Sequence, residues 1–278
     1  MGLLDLFIGR GRRGEEKRED AGPAASASER SVAERMAEAH DASARGDYRA
    51  ALSLWEPLAR EGVPRAQANI GACFAEALGV ERDLVLAVRW ISAAADAGDR
   101  VARRNLASLY FKGEGVAQDY GKAAELYRAA AEAGDAPAQD MLSWMLLEGE
   151  VIPPDPEQAW RWALAAAEQG IPASMTRLGM IFHNALGVHR DPAEAARWWR
   201  MGAERGDADG QAMLGAACHL GAGVPHDRVA AFAWLLRARA GGSALAEPFF
   251  EAARTRLSVA ERAEAQRIAV APLPDPPP

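Results

Sequence analysis

Residues Val101–Asp135 read VARRNLASLYFKGEGVAQDYGKAAELYRAAAEAGD, and most of the chain consists of near-copies of this stretch laid end to end. A step of 36 residues from Asp119 in either direction returns Asp every time, at Asp47, Asp83, Asp155, Asp191 and Asp227. The same step from Gly134 gives Gly62, Gly98, Gly170, Gly206 and Gly242. A fixed period of this length is the signature of a solenoid, in which each supersecondary unit buries its apolar face by stacking on its neighbours.

Within each copy the apolar spacing is helical. In the first half one column reads Ile70, Leu106, Leu142, Leu178, Leu214, and the next reads Gly71, Ala107, Ser143, Gly179, Gly215. A large apolar residue beside a small one lets two helices approach closely. Phe74, Tyr110, Leu146, Phe182 and Cys218 complete an i, i+4 face. The second half carries Ala87, Trp90, Ile91 and Ala94 at i, i+3, i+4, i+7, with Trp162, Trp198 and Trp234 in the Trp90 column. At that spacing the tryptophans read as core rather than as a cofactor box.

Between the halves lie glycine turns, LGV at 78–80 and 186–188, GEGV at 113–116 and GAGV at 221–224. Glycine there relieves the backbone where the first helix stops. The recurring Asp then caps the second helix, accepting from its free N–H groups and matching the helix dipole. Pro156 and Pro192 follow at the first helical position, and Asp191 with Glu194 has capping-box spacing. Gly98, Gly134, Gly170 and Gly206 end the second helices, a place suited to the left-handed conformation. One copy departs from the pattern: it keeps Gly149 but has Val151 for the second glycine and adds Pro153-Pro154, which predicts a stiffer turn.

The chain outside the good copies is read by composition. Residues 1–28 form a disordered tail in this reading, an apolar stub at Leu3–Ile8 followed by GRGRRGEEKRED and AGPAASAS. The stub is too short for a secretory signal, and its basic residues follow rather than precede it. Leu6 stands where a myristoylation signal wants Ser or Thr. Residues 3–13 therefore read either as a frayed polar terminus or as a weak docking peptide for a membrane surface or a partner. The solenoid is expected over 29–269, with an atypical first repeat at 29–62, repeats over 63–243 and capping helices over 244–269, the second capped by Ser258. Residues 270–278, VAPLPDPPP, read as a disordered proline-rich tail.

Composition excludes several functions. The chain is 49% hydrophobic, with Ala carrying much of that share, and Ala is the best helix former, so an all-α protein is expected. A net charge of −7 offers no basic face for nucleic acid. No apolar run approaches the length of a membrane-spanning helix. Cys73 and Cys218 occupy different register positions, so no repeat-internal disulfide is expected. A cytoplasmic location follows, the alternative being peripheral attachment to the inner membrane through residues 3–13.

The assembled pattern, A…LG..Y..G.GV..D...A..W...AA..G, resembles the Sel-one-like repeat family of bacterial type, relatives of the tetratricopeptide repeats with a slightly longer period. The resemblance runs from about residue 65 to 243. It implies a right-handed α/α superhelix of about six helix-turn-helix repeats whose first helices line a concave surface. It also implies a non-enzymatic adaptor that binds a partner protein or peptide there. Secreted relatives place two Cys in each repeat, which this chain lacks. Some relatives have been linked to β-lactam hydrolysis, but no Ser stands three residues before Lys17, Lys112 or Lys122, and GxSxG and HExxH are absent. His183 and His219, one period apart, lack the tight spacing of a zinc site. No catalytic, cofactor or metal residue is assigned.

The remaining functional signal lies on the first helices. Positions two and five after the Ile70 column point away from it and should be wet. They read Ala72, Ser108, Trp144, Met180, Ala216 and Ala75, Phe111, Leu147, His183, His219. Phe111, Trp144, Leu147 and Met180, flanked by Arg104, Asp140, Arg177 and His219, have the composition of a peptide groove with aromatic anchors. The competing reading packs this face against the neighbouring repeat or the tail. A membrane-peripheral adaptor and a hydrolase built on the scaffold are the alternative functions.

Overall fold

A computed structural model describes residues 31–273; the expectations for residues 1–30 and 274–278 lie outside them. The described residues form fourteen α-helices and one 3-10 turn, with no strand among them. The chain divides into two compact units, residues 1–135 and 136–278. The first holds α1 (Val32–Ala44), α2 (Tyr48–Arg60), α3 (Pro64–Glu76), α4 (Leu84–Asp96), α5 (Arg100–Lys112) and α6 (Tyr120–Glu132). The second holds α7 (Ala136–Glu148), α8 (Pro156–Glu168), α9 (Pro172–Asn184), α10 (Pro192–Glu204), α11 (Ala208–Leu220) and α12 (Arg228–Ala240). It closes with a 3-10 turn (Ala244–Ala246), α13 (Glu247–Thr255) and α14 (Val259–Val270).

The helix pairs follow from their ends. Each recurring Asp accepts from an amide of the first turn of the helix it precedes: Asp47 from Ala50 at 3.1 Å, Asp83 from Leu86, Asp119 from Lys122 and Asp227 from Ala230 at 2.9 Å, Asp155 from Gln158 at 3.0 Å. The N–H of the same Asp donates back into the preceding helix, as from Asp83 to the Phe74 carbonyl at 3.0 Å, so one residue closes the turn and opens the next helix. Asp191 accepts from both Ala193 and Glu194, but the reciprocal half of the expected capping box is not made. The Glu194 carboxylate instead takes the Arg197 guanidinium at 2.8 Å. The first helices stop at a residue with positive φ, which is Gly113, Gly149 or Gly221 in three copies but Ala77 (φ 57°) and Ala185 (φ 58°) in the other two. There the glycine of the LGV turn lies two residues beyond the stop, which corrects the expectation that it relieves the helix end itself.

Packing within a pair centres on the small column. A Cβ at Gly179 would stand 2.3 Å from the Trp199 ring, so only glycine admits that indole. Ser143 fits the same place by donating its hydroxyl to the Ala159 carbonyl at 2.8 Å. Opposite this column lie Ile91, Tyr127, Ala163, Trp199 and Leu235, all buried. The tryptophan column one residue earlier is different. Trp198 is buried, whereas Trp90, Trp162 and Trp234 are half-buried, which corrects the expectation of a continuous tryptophan core. The indoles cover the core with one face, and Arg197 and Arg237 stack over the rings of Trp198 and Trp234.

Both ends of the described chain are closed by local devices. Ser31 and Glu34 form a capping box on α1, and Ser258 and Glu261 form another on α14. Phe250, Leu257 and Ala265 of the last elements bury against Phe232 and Leu235 of α12, with the rings of Phe232 and Phe250 5.2 Å apart.

Candidate functional site

The first helices carry a second periodic column that sequence reasoning did not single out. It runs Val63, Asp99, Asp135, Ile171, Asp207, Ser243. Asp99 accepts from the Ala102 amide at 2.8 Å and Asp207 from the Gly210 amide at 2.7 Å. Where Val63 and Ile171 offer no cap, Pro64 and Pro172 follow at the first helical position and remove one of the unsatisfied N–H groups. The 36-residue step applied to Asp99 would have revealed it.

Each acidic member of this column is also gripped by a side chain of the preceding repeat. In the first unit Arg65 pairs with Asp99 at 3.0 Å, and Arg104 reaches both oxygens of Asp135 at 3.1 Å. Arg104 is 5% exposed, so it does not stand at the rim of a wet groove as expected. Burial draws its pKa down, while the Asp135 carboxylate acts in the opposite direction. Ala72 and Ala75 of the supposed wet face are also buried. Phe111 is half-buried, its ring 5.2 Å from that of Tyr120.

In the second unit the equivalent of Arg104 is Thr176, two periods on, and its hydroxyl donates to Asp207 at 2.6 Å. Here the first-helix face opens into a groove of about 390 Å³ that follows α9. Leu147, Met180, Leu186 and Leu245 provide its apolar walls. Glu148, Asp207 and Asp209 bring carboxylates, and Arg177 brings the cation. Arg177 is held by the carboxylate of Asp140 and donates to its carbonyl at 3.3 Å, while Ser174 donates to the same carboxylate at 2.5 Å.

Of the eight residues proposed from sequence, the groove brings together Leu147, Met180 and Arg177. Trp144 is half-buried on α7 and is not part of the lining. His183 is half-buried with its ring 5.4 Å from Trp199, and its Nδ1 is enclosed without a hydrogen-bond partner. His219 is 9% exposed rather than wet, and Ala216 beside it is buried. Burial first, then the charges of Arg256 and His226, hold the His219 pKa below its ordinary value.

The groove combines apolar walls with a few oriented polar side chains. Its one hydroxyl, on Thr176, donates to the Asp207 carboxylate, which also accepts the Gly210 amide and so caps the helix. Among the described residues no group of three or more His, Cys, Asp or Glu is placed to hold a metal. Burial pushes the Cys73 thiol up to about 12, far from the range of a reactive thiolate. No helix among the described residues is long and apolar enough to cross a membrane.

The Sel1 repeat family matches residues 64–99, 101–135, 136–171, 172–207 and 208–243. A Sel1 repeat protein from Oxalobacter formigenes is 25% identical, with 87% of this chain and 99% of that one covered, and superposes with a TM-score of 0.76. A putative Sel1 repeat protein from Klebsiella pneumoniae is 20% identical over 73% of this chain and 99% of its own, with a TM-score of 0.46. A protective antigen of uropathogenic Escherichia coli displaying an SLR fold is 23% identical over 84% and 67%, with a TM-score of 0.37. No curated protein matches the chain. Helix pairs repeating every 36 residues, the recurring caps and five consecutive family matches lead to one conclusion: the chain belongs to the Sel1 repeat family, whose members generally serve as protein–protein interaction scaffolds.

Proposed function

We propose that this protein is a non-enzymatic scaffold that binds a partner protein or peptide through the faces of its first helices. The observation that carries the reading is the groove along α9, where Leu147 and Met180 form apolar walls beside a fixed Arg177. An apolar cleft with a few oriented polar groups is the usual form of a recognition site. Trp144, on the same helix as Leu147, is a further anchor, and Phe111, which shares the register column of Leu147, is the anchor in the first unit. Buried or half-buried as they are, Arg104, His183 and His219 support these faces from behind. The buried, free thiols of Cys73 and Cys218 accord with a cytoplasmic site of action.

The test is affinity capture from the native cell extract with wild type and a Leu147→Asp/Met180→Asp variant whose circular dichroism is unchanged. A partner retained by wild type and lost with the variant supports the reading. Identical capture by both proteins overturns the placement in this groove. Turnover of model esters or β-lactams by the purified protein would reopen the hydrolase alternative.

A further inference from the structure

We propose that the groove along α9 takes a basic, apolar segment of a partner protein, with an arginine of that segment on the Asp207 carboxylate. The inference rests on the scaffold reading above and adds the chemistry of the partner.

The repeats themselves supply the template. In the first unit Arg104 places its guanidinium against both oxygens of Asp135 at 3.1 Å, a charge-assisted contact inside the fold. Two periods on, the corresponding residues are Thr176 and Asp207, and the shorter side chain leaves the place of the guanidinium to the groove. The Thr176 hydroxyl and the Gly210 amide both donate to Oδ2 of Asp207, at 2.6 and 2.7 Å. Oδ1 therefore keeps its lone pairs for a donor from outside the chain. Because both donors are neutral, the carboxylate also keeps its charge.

The surroundings favour the same ligand. Asp209 accepts from the Ser243 hydroxyl at 2.5 Å, again a neutral donor, and Glu148 brings a third carboxylate; both acids are exposed. The cation of the groove, Arg177, is already neutralised by Asp140. The lining therefore carries an excess of negative charge beside the apolar side chains of Leu147, Met180, Leu186 and Leu245, of which Leu245 is 42% exposed. Apolar side chains of a partner gain by leaving water there. Arginine suits the carboxylates because its planar fork matches their geometry, whereas an acidic segment is repelled.

Fluorescence anisotropy with the full-length protein and three fluorescein-labelled decapeptides tests this. Each peptide is glycine and serine around a core of leucines flanking arginine, leucines flanking glutamate, or alanines flanking arginine. The leucine–arginine peptide should bind, and the other two should bind roughly tenfold more weakly. Asp207→Asn keeps an oxygen for the Gly210 amide and should lower affinity for the leucine–arginine peptide roughly tenfold, as losing a hydrogen bond to a charged group does. Thr176→Arg rebuilds the arrangement of Arg104 and should abolish binding with circular dichroism unchanged; if that variant does not fold, Asp207→Asn decides. Equal affinity for the arginine and glutamate peptides, no binding, or binding indifferent to Asp207→Asn would overturn the proposal. Self-association of wild type in sedimentation that Asp207→Asn abolishes would assign the groove to a second copy and overturn the partner. The two readings fail separately. Partner capture lost with the Leu147→Asp/Met180→Asp variant while peptide binding ignores Asp207→Asn leaves the scaffold and removes this ligand. Arginine-selective binding with partner capture unaffected by the groove variant does the reverse.

Discussion

Arg104 in the first unit and Thr176 in the second occupy one register position two periods apart, and both reach the acidic residue that opens the next first helix. Their consequences differ. Arg104 fills its place and closes a buried ion pair with Asp135, both side chains 6% exposed or less. Thr176 makes one short hydrogen bond to Asp207 and leaves the space beside it as part of the groove along α9. The repeat geometry thus determines that a contact is made between consecutive first helices. Side-chain size and charge determine whether the face there is filled or left open.

The largest test of this contrast is Arg104→Ala. Removing the guanidinium takes the countercharge from the buried Asp135 carboxylate, which typically costs about 3–5 kcal/mol, although the intact pair adds little net stability. Urea denaturation should show that loss as a lower midpoint with an unchanged slope. A cost below about 1 kcal/mol would mean that water reaches Asp135 and that this face of the first unit is open too. Next in size is Thr176→Val, which deletes the hydroxyl while Asp207 keeps the Gly210 amide. A cost of about 1–3 kcal/mol is expected, in the range for losing a hydrogen bond to a charged group. Equal losses at 104 and 176 would erase the distinction between a filled and an open face.

The difference between these positions also marks how far the sequence could be read. Caps, turns and the small column depend on backbone geometry that recurs in every repeat, so the period was enough to place Asp83, Asp119 and Gly179. Exposure on the first helices does not recur. Each of these helices has neighbours on two sides, so residues opposite the Ile70 column are not uniformly wet: Ala72, Ala75 and Ala216 are buried, and Met180 and Leu147 are half-buried. A single helical wheel counts one neighbour and overstates the wet face. The same limit explains the tryptophans, where the column facing the small residues contains Trp199 and its predecessor lies at the edge. Leu186 and Leu245 of the groove lie outside the first-helix columns, one in the LGV turn and one in the 3-10 turn before α13, so a reading of those columns does not reach them.

A smaller effect serves as the internal control. Ala77 and Ala185 hold left-handed φ values at equivalent helix stops, one in each unit, where Gly113 and Gly221 hold them in neighbouring repeats. The left-handed conformation costs a residue with a Cβ about 1–2 kcal/mol, so Ala77→Gly and Ala185→Gly should each stabilise by roughly 1 kcal/mol. Thermal denaturation should show similar gains in both. If only one responds, the two units differ in how tightly they hold their turns, and the contrast at 104 and 176 would have to be corrected for it.

The finest comparison sets Phe111 against His219, which share a register column. Phe111 does not titrate. His219 is held by burial, Arg256 and His226 below its ordinary pKa. In the unfolded chain it takes up a proton near pH 6.5, while in the folded protein it resists until lower pH. Between those values the unfolded state binds more protons, so stability is full above about pH 6.5 and declines as pH falls through the window. His219→Phe, which installs the residue found at 111, should flatten the stability profile between about pH 7 and 5 relative to wild type. An unchanged slope would mean that the imidazole is solvated when the protein is folded, and that the last repeat carries its wet face further toward α13 and α14 than its burial indicates.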